Sequence, residues 1–165
     1  MNKYLILCVD DEPEVLSSVL QDLAMFEENF IVEGAESVDE AKQVIEEMAQ
    51  DGIKLALILC DHIMPEKTGI DFLIELNHQD STKATRKLLL TGQAGLEDTV
   101  TAINNEALDF YISKPWQGDQ LRDTITQQLT DFVIKNDEQL LNWTSILDTE
   151  RILTSMSDKR TSFGE

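Results

Sequence analysis

The chain has 165 residues, 42% of them apolar, which is enough for about one domain with a buried core. Its formal net charge of −19 repels nucleic-acid phosphates and anionic lipid headgroups, so we expect no direct binding to nucleic acid or to a membrane. Residues 1–12 contain one lysine and a short apolar run, which is too short for a signal peptide or a spanning helix. We therefore expect a cytoplasmic protein.

Short apolar runs alternate with longer amphipathic runs over the first 113 residues. The apolar runs predict five strands, at residues 3–9, 29–35, 54–60, 86–91 and 109–113. The amphipathic runs predict four helices, at residues 14–26, 37–48, 69–79 and 96–106. Ser37 and Glu40 have the spacing of a capping box at the start of the second helix.

The order of these elements predicts the fold class. Strands that are separated by single helices pair in parallel through right-handed crossovers, with helices covering both faces of the sheet. We expect an α/β protein with a flavodoxin-like, doubly wound, five-stranded parallel sheet. The nearly continuous apolar character of residues 55–59 agrees with a strand that is buried on both faces.

The C-terminal part has a different pattern. No proline follows residue 119, and the one glycine there is Gly164. An apolar stripe with one polar position recurs at helical spacing, at Ile125, Leu129, Phe132, Asn136, Leu140, Trp143 and Leu147. The stripe predicts a mainly helical segment over 117–150 that pairs with its copy in a homodimer, with Asn136 setting the register. The alternative is a break near Asn136 and Asp137, after which the segment folds back on its own domain.

This pattern also suggests how the chain divides. We expect a first domain over residues 1–131 and a helical extension or linker over residues 132–165. The stripe fades beyond Glu150 into an end that is rich in serine, threonine and charge, where disorder is expected.

Polar residues follow four of the predicted strands. Asp10 and Asp11 follow the first strand, Asp61 the third, Thr91 the fourth and Lys114 the fifth. Parallel strands bring these ends to one edge of the sheet, where ligands bind in such folds. Three carboxylates that repel one another need a cation, and oxygen ligands suit Mg²⁺. A threonine and a lysine beside them can position a phosphoryl group, and one aspartate can then act as its nucleophile.

Simpler explanations exist for several of these residues when each is taken alone. Asp10 and Asp11, followed by Glu12 and Pro13, could cap a helix N-terminus. Thr91 could be an ordinary β-branched strand residue. The combination with Asp61 and Lys114 is what favours the chemical interpretation.

Cysteine and histidine give no separate signal. Cys8 and Cys60 lie inside apolar runs and are expected to be buried thiols, not a disulfide or a metal pair. His62 and His78 lack partners at metal-ligand spacing.

Four motifs resemble the receiver domain of two-component response regulators, in order and at normal spacing over residues 3 to about 131. They are "CVDDE" at 8–12, "CDHIMPEKTG" at 60–69, "LLLTG" at 88–92 and "YISKPW" at 111–116. The resemblance implies that Asp61 accepts a phosphoryl group from the phosphohistidine of a sensor histidine kinase or phosphotransfer protein. It also implies a signalling protein that catalyses its own phosphoryl transfer and autodephosphorylation but is not a conventional enzyme.

The resemblance further implies a ligand set for Mg²⁺. Asp11 and Asp61 would bind the ion directly, together with the main-chain carbonyl of Ile63. Asp10 would act through a water molecule. The apolar side chain of Ile63 does not weaken this expectation, because its carbonyl alone is required.

The same resemblance implies the roles of three residues near the phosphoryl group. Thr91 and Lys114 would contact the phosphoryl oxygens, and Thr91 and Tyr111 would form the conformational switch. The bond between Lys114 and Pro115 would be cis. Without the resemblance, Tyr111 would be read as a half-buried aromatic residue of the sheet.

Two other functional classes remain as alternatives. Haloacid-dehalogenase-type phosphatases also use an aspartate nucleophile, Mg²⁺, a threonine and a lysine, but they place two acidic residues two positions apart on the first strand, whereas Asp10 and Asp11 are adjacent. The other alternative is an interaction module that is not phosphorylated. The "KPW" motif at 114–116 also resembles receivers that precede cyclic-di-GMP phosphodiesterase modules.

Overall fold

A five-stranded parallel sheet forms the centre of the molecule, with the strand order β2-β1-β3-β4-β5. The computed structural model describes residues 2–92, 101, 104 and 106–163. The strands are β1 (Tyr4–Val9), β2 (Ile31–Ala35), β3 (Lys54–Cys60), β4 (Arg86–Thr91) and β5 (Phe110–Ser113). This order is that of the flavodoxin-like doubly wound fold, so the predicted fold class is confirmed.

Helices lie between and after the strands. Within the described residues they are α1 (Pro13–Asp22), α2 (Val38–Gln50), α3 (Gly69–Asn77), α4 (Gly118–Asn136) and α5 (Thr149–Phe163), with two short 3-10 helices at Ala24–Glu28 and Leu140–Trp143. The predicted helix 14–26 is divided, because α1 ends at Asp22 and the chain continues in the first 3-10 helix. The predicted helix 96–106 lies mostly outside the described residues.

Side-chain oxygens fix the beginnings of two helices. The hydroxyl of Ser37 accepts a hydrogen bond from the backbone N–H of Glu40, and the carboxylate of Glu40 accepts one from the N–H of Glu36. This pair forms the predicted cap of α2, although the return bond reaches Glu36 instead of Ser37. The hydroxyl of Thr68 caps α3 by accepting from the N–H of Asp71.

Both faces of the sheet are buried. Helices α1 and α4 cover one face, and α2 and α3 cover the other. Cys8 belongs to the first core and Cys60 to the second, so the two buried thiols lie on opposite sides of the sheet, and both are free. Burial raises the pKa of the Cys8 thiol to about 12. Among the described residues, no helix has the length and apolarity needed to cross a bilayer.

The C-terminal segment is mainly helical, as predicted, but it is not one continuous helix. Helix α4 ends at Asn136, and Asp137 has an extended conformation (φ −111°, ψ 131°). Leu140, Trp143 and Leu147 are buried within the same chain, in the core beside α1 and α4. The structure therefore has the alternative arrangement, in which the segment folds back after a break at the predicted position.

The folded-back segment is integrated with the first domain. Helix α4 runs across residue 131, where the sequence suggested a boundary, and continues to Asn136. Trp143 is fully buried, with its ring centroid 5.1 Å from that of Phe30 and 5.8 Å from that of Tyr4. Arg151 of α5 forms an ion pair with Asp131 of α4. One core therefore includes residues from both predicted parts.

A buried carboxylate attaches this segment to the start of β1. Asp137 accepts hydrogen bonds from the Tyr4 hydroxyl at 2.8 Å, the Trp143 indole N–H at 3.0 Å and the backbone N–H of Gln139 at 2.7 Å. The side-chain amide of Asn2 lies at 3.5 Å. We call Asp137 with these four donor residues the Asp137 clasp. It ties together residues that are up to 135 positions apart in the sequence.

Candidate functional site

The register of the sheet brings the predicted acidic residues together. Val9 of β1 pairs with Cys60 of β3, so the residues that follow them, Asp10 and Asp61, lie side by side at the carboxyl edge. The backbone N–H of Asp61 donates to the carbonyl of Val9 at 2.9 Å, which extends the strand pairing by one residue. The hydrogen-bonded backbones of the buried central strands β1 and β3 therefore fix the positions of Asp10 and Asp61.

Three carboxylates form one cluster at this edge. An oxygen atom from each of Asp10, Asp11 and Asp61 lies within 4.8 Å of the others. Asp10 and Asp61 are buried, and Asp11 is half-buried. Such closely spaced carboxylates repel one another in a partly dry site. The set has only oxygen donors and is open on the Asp11 side, which fits Mg²⁺ with some of its water ligands retained.

Lys114 is the cation that contacts this cluster. Its Nζ atom lies 2.8 Å from Oδ2 of Asp10 and 3.6 Å from Oδ1 of Asp61. Burial lowers the pKa of Lys114, but its hydrogen bond to Asp10 and the charges of Asp61, Asp10 and Glu12 outweigh this effect and raise the pKa above its usual value. Lys114 is therefore held protonated between two aspartates, where it can neutralise a further anionic group.

The loop after β3 holds Asp61 in place from the other side. The backbone N–H of His62 donates to Oδ1 of Asp61 at 2.8 Å, and the carbonyl of His62 accepts from the N–H of Gly69 at 2.8 Å. A Cβ atom at Gly69 would lie 1.9 Å from the main-chain oxygen of Asp61, which only glycine can avoid. Ile63 lies on this loop two residues after Asp61, with its side chain exposed.

Thr91 and Tyr111 lie on the neighbouring strands β4 and β5. Thr91 is buried at the end of β4, and the backbone N–H of Lys114 donates to its carbonyl at 3.3 Å. The hydroxyl of Tyr111 donates to the same carbonyl at 3.2 Å, and its ring is partly exposed. The predicted switch residues are therefore connected through the main chain of Thr91. The peptide bond between Lys114 and Pro115 is cis, as predicted.

Two supporting residues were not predicted from the sequence. His62 was considered only as a metal ligand, yet its backbone positions Asp61 and its Nδ1 accepts from the N–H of Ile70 at 3.4 Å. Gly69 was predicted only as the first residue of the third helix, whereas its lack of a side chain admits the Asp61 carbonyl. The sequence signal for Gly69 is general, because glycine is the default residue where two backbone segments approach closely.

The chain belongs to the response regulator receiver domain family, whose sequence model matches residues 6–126. It therefore acts in phosphorelay signalling, and it is a receiver instead of a haloacid-dehalogenase-type phosphatase. Receiver domains bind Mg²⁺ through acidic residues and interact with sensor kinases.

Curated relatives include whole receivers and longer regulators. The chain is 32% identical over 122 residues to the hydrogenase transcriptional regulatory protein HoxA of Cupriavidus necator, which covers 74% of this chain and 23% of HoxA. It is 29% identical over 150 residues to a probable cyclic di-GMP phosphodiesterase of Vibrio cholerae, covering 91% of this chain and 32% of that protein. The chemotaxis protein CheY of Halobacterium salinarum is 29% identical over 126 residues, covering 76% of this chain and 96% of CheY. The chain thus spans about a quarter to a third of the longer relatives.

Solved structures agree with this family. A CheY-like receiver domain from Methanospirillum hungatei superposes with a TM-score of 0.70 at 28% identity, covering 82% of this chain and 100% of that domain. The receiver domain of an HD domain-containing protein from Pseudomonas fluorescens has the same fold, with a TM-score of 0.71 at 23% identity, covering 84% and 95% of the two chains.

Proposed function

We propose that Asp61 is the phosphoacceptor of this receiver and that a phosphohistidine of a sensor kinase or phosphotransfer protein is the donor. The observation that carries this proposal is the contact of Lys114 with both Asp10 and Asp61 beside a third carboxylate. This arrangement has a nucleophile, oxygen ligands for a divalent cation and a fixed positive charge within a few ångströms. The alternative is a receiver-like module that is not phosphorylated. Such a module would gain nothing from three carboxylates placed so close together.

In the proposed reaction, an oxygen atom of Asp61 forms a bond to phosphorus while the bond from phosphorus to the donor imidazole nitrogen breaks. The electron pair of that bond stays on the imidazole. Asp11, Asp61 and the carbonyl of Ile63 would hold Mg²⁺ directly, and Asp10 would hold it through water. The bound ion supplies positive charge for the transferring oxygens. Lys114 and the hydroxyl of Thr91 contact the same oxygens.

The proposed switch uses the connection between Thr91 and Tyr111. When Thr91 is drawn toward a new phosphoryl oxygen, it vacates space into which the Tyr111 ring can turn, and the bond from the Tyr111 hydroxyl to the Thr91 carbonyl changes with it. A ligand or modification shifts such an equilibrium only through contacts that differ between its two states. We propose that this change controls an output, and that water hydrolyses the acyl phosphate at the same site to reset the domain.

The setting of this proposal follows from charge and comparison. A net charge of −19 supports a chain that makes no direct contact with nucleic acid or membrane. We also propose that the chain works in the cytoplasm. The similarity to a probable cyclic di-GMP phosphodiesterase, together with the "KPW" motif, supports an output of that kind.

The experiment is incubation with acetyl phosphate, with Mg²⁺ or with EDTA, followed by electrophoresis on a phosphate-binding gel. The wild-type chain is expected to shift only with Mg²⁺, and Asp61→Asn is expected not to shift. Thr91→Ala should still be modified, but the change in the Tyr111 amide resonance on phosphorylation should be much smaller. A full shift of Asp61→Asn would refute the acceptor, and an unchanged Tyr111 response in Thr91→Ala would refute the switch.

A further inference from the structure

We propose that Trp116 and Asp22 are positioning residues that hold the ammonium of Lys114 at the carboxyl edge of the sheet. Neither residue belongs to the carboxylate cluster, and both act through the loop that carries Lys114. This inference rests on the proposed role of Lys114 in phosphoryl transfer. It assigns a function to the third residue of the "KPW" motif at 114–116.

The loop that carries Lys114 connects β5, which ends at Ser113, to α4, which begins at Gly118. The backbone N–H of Lys114 donates to the carbonyl of Thr91 at 3.3 Å, which continues the pairing of β4 with β5. The next residue, Pro115, has no N–H with which to add a bond of this kind. The sheet therefore fixes the main chain as far as Lys114, and the residues after it depend on a different contact.

The side chain of Trp116 makes the contact that follows Pro115. Its indole N–H donates to Oδ2 of Asp22 at 2.6 Å, which joins residues 94 positions apart in the sequence. The ring of Trp116 is half-buried and packs against the core on the side of α1 and α4. A hydrogen bond to a charged acceptor is shorter and stronger than one between neutral groups. This bond therefore attaches the loop firmly to the end of α1.

Asp22 is the last residue of α1, where its own helix does not favour a negative charge. The C-terminal end of a helix carries a partial negative charge, which repels a carboxylate. The attraction comes from α4 instead, because the guanidinium of Arg122 lies 3.7 Å from Oδ1 of Asp22 and donates to its carbonyl at 3.4 Å. A Cβ atom at Gly118 would lie 3.1 Å from the same Oδ1 atom. Asp22 is therefore placed for its partners in the loop and in α4.

The two side-chain contacts of the loop lie at opposite ends of the same helix. Lys114 binds Asp10, which lies just before α1 begins, and Trp116 binds Asp22 at the last residue of α1. A helix of 10 residues is about 15 Å long, so the two contacts hold the loop at well-separated points. Loss of the indole bond would free one of these points. The long, flexible stem of Lys114 would then hold its ammonium less precisely beside Asp61.

The test is the maximal rate of phosphorylation by acetyl phosphate at saturating Mg²⁺. Trp116→Phe keeps an aromatic ring and removes the N–H, and we expect this rate to fall by about tenfold, because a displacement of about 1 Å costs up to about 10²-fold. Lys114→Ala should cost more, about 10²-fold. The dissociation constant of Mg²⁺, measured by isothermal titration calorimetry, should not change in Trp116→Phe, because all three carboxylates are still present.

Trp143→Phe is the matched control, because it removes the same kind of bond at the opposite end of the sheet. There the indole N–H of Trp143 donates to the carboxylate of Asp137 at 3.0 Å. Both variants should lower the free energy of unfolding, but only Trp116→Phe should slow phosphorylation. Asp22→Asn should keep most of the rate, since its amide oxygen still accepts from the indole. Asp22→Ala should lose as much rate as Trp116→Phe, and it tests the same bond if Trp116→Phe does not fold.

The sharpest comparison repeats Trp116→Phe, or Asp22→Ala, in the Lys114→Ala background. If Trp116 acts through Lys114, the second substitution should cause no further loss of rate. An equal fold loss in both backgrounds, or no loss in the wild-type background, would overturn this inference and leave the proposed role of Lys114 intact. An unchanged rate in Lys114→Ala alone would refute that role, and this inference with it.

Discussion

Two buried aspartates at opposite ends of the sheet have opposite surroundings. Asp61 lies at the carboxyl edge beside two other carboxylates and the ammonium of Lys114. Asp137 lies near the start of β1, where its hydrogen-bond donors are a phenol, an indole and a backbone amide. A buried carboxylate therefore supports chemistry where charges are crowded and supports structure where neutral donors satisfy it.

The pKa of Asp137 reflects its surroundings. Burial raises this pKa, but the hydrogen bonds from Gln139, Tyr4, Trp143 and Asn2 outweigh burial and lower it below the usual value. The carboxylate is therefore ionised in the folded protein and supports the contacts it accepts. At the carboxyl edge, by contrast, excess negative charge remains that a divalent cation can neutralise.

The largest expected effect is on the reactive side of the comparison. Lys114→Ala removes the charge that contacts both Asp10 and Asp61 and that would neutralise the transferring oxygens. We expect the rate of phosphorylation by acetyl phosphate to fall by about 10²-fold, as on removal of one stabilising donor elsewhere. The rate is measured as gel-shifted fraction against time at saturating Mg²⁺. Lys67→Ala is the control. Equal rates in Lys114→Ala and wild type would show that Lys114 has no role in phosphoryl transfer.

The next effect compares the same substitution at the two aspartates. Asp137→Asn leaves a donor group facing donors in a buried place, and we expect a loss of about 1–3 kcal/mol in the free energy of unfolding. Asp61→Asn removes one of three mutually repelling carboxylates, so we expect no loss or a small gain when EDTA is present. Urea denaturation in EDTA measures both. Equal losses in the two variants would show that the two surroundings do not differ as described.

The smallest effect is a dependence on alkaline pH. The pKa of Tyr4 is raised from 10.0 to about 12. Burial is the largest cause, followed by the hydrogen bond to Asp137 and the negative charge of Asp137. The stability that the protonated Tyr4 contributes to the folded protein is complete below pH 10. It is lost as the pH rises toward 12, because the unfolded chain releases the phenol proton first. Between pH 10 and 11 the free energy of unfolding should therefore fall more steeply in wild type than in Tyr4→Phe. Identical slopes would show that the Asp137 clasp does not raise the pKa of Tyr4.

The carboxyl edge could be predicted because its determinants are local. Asp10, Asp61, Thr91 and Lys114 each follow an apolar run, and the parallel topology alone brings strand ends together. The clasp could not be predicted in this way. Tyr4 and Asp137 are 133 positions apart, and no local pattern pairs them. The apolar stripe is the same in a continuous and in a broken helix, so periodicity identified its buried residues without identifying what buries them.

Asp61 is the proposed nucleophile at the carboxyl edge, and identification of the modified residue tests this role most directly. After reaction with acetyl phosphate and Mg²⁺, borohydride reduces an aspartyl phosphate to homoserine, which peptide mass spectrometry can locate. We predict homoserine at position 61 alone, and none when EDTA replaces Mg²⁺. Homoserine at position 10 or 11, or an equal yield at position 61 with EDTA, would contradict the assignment.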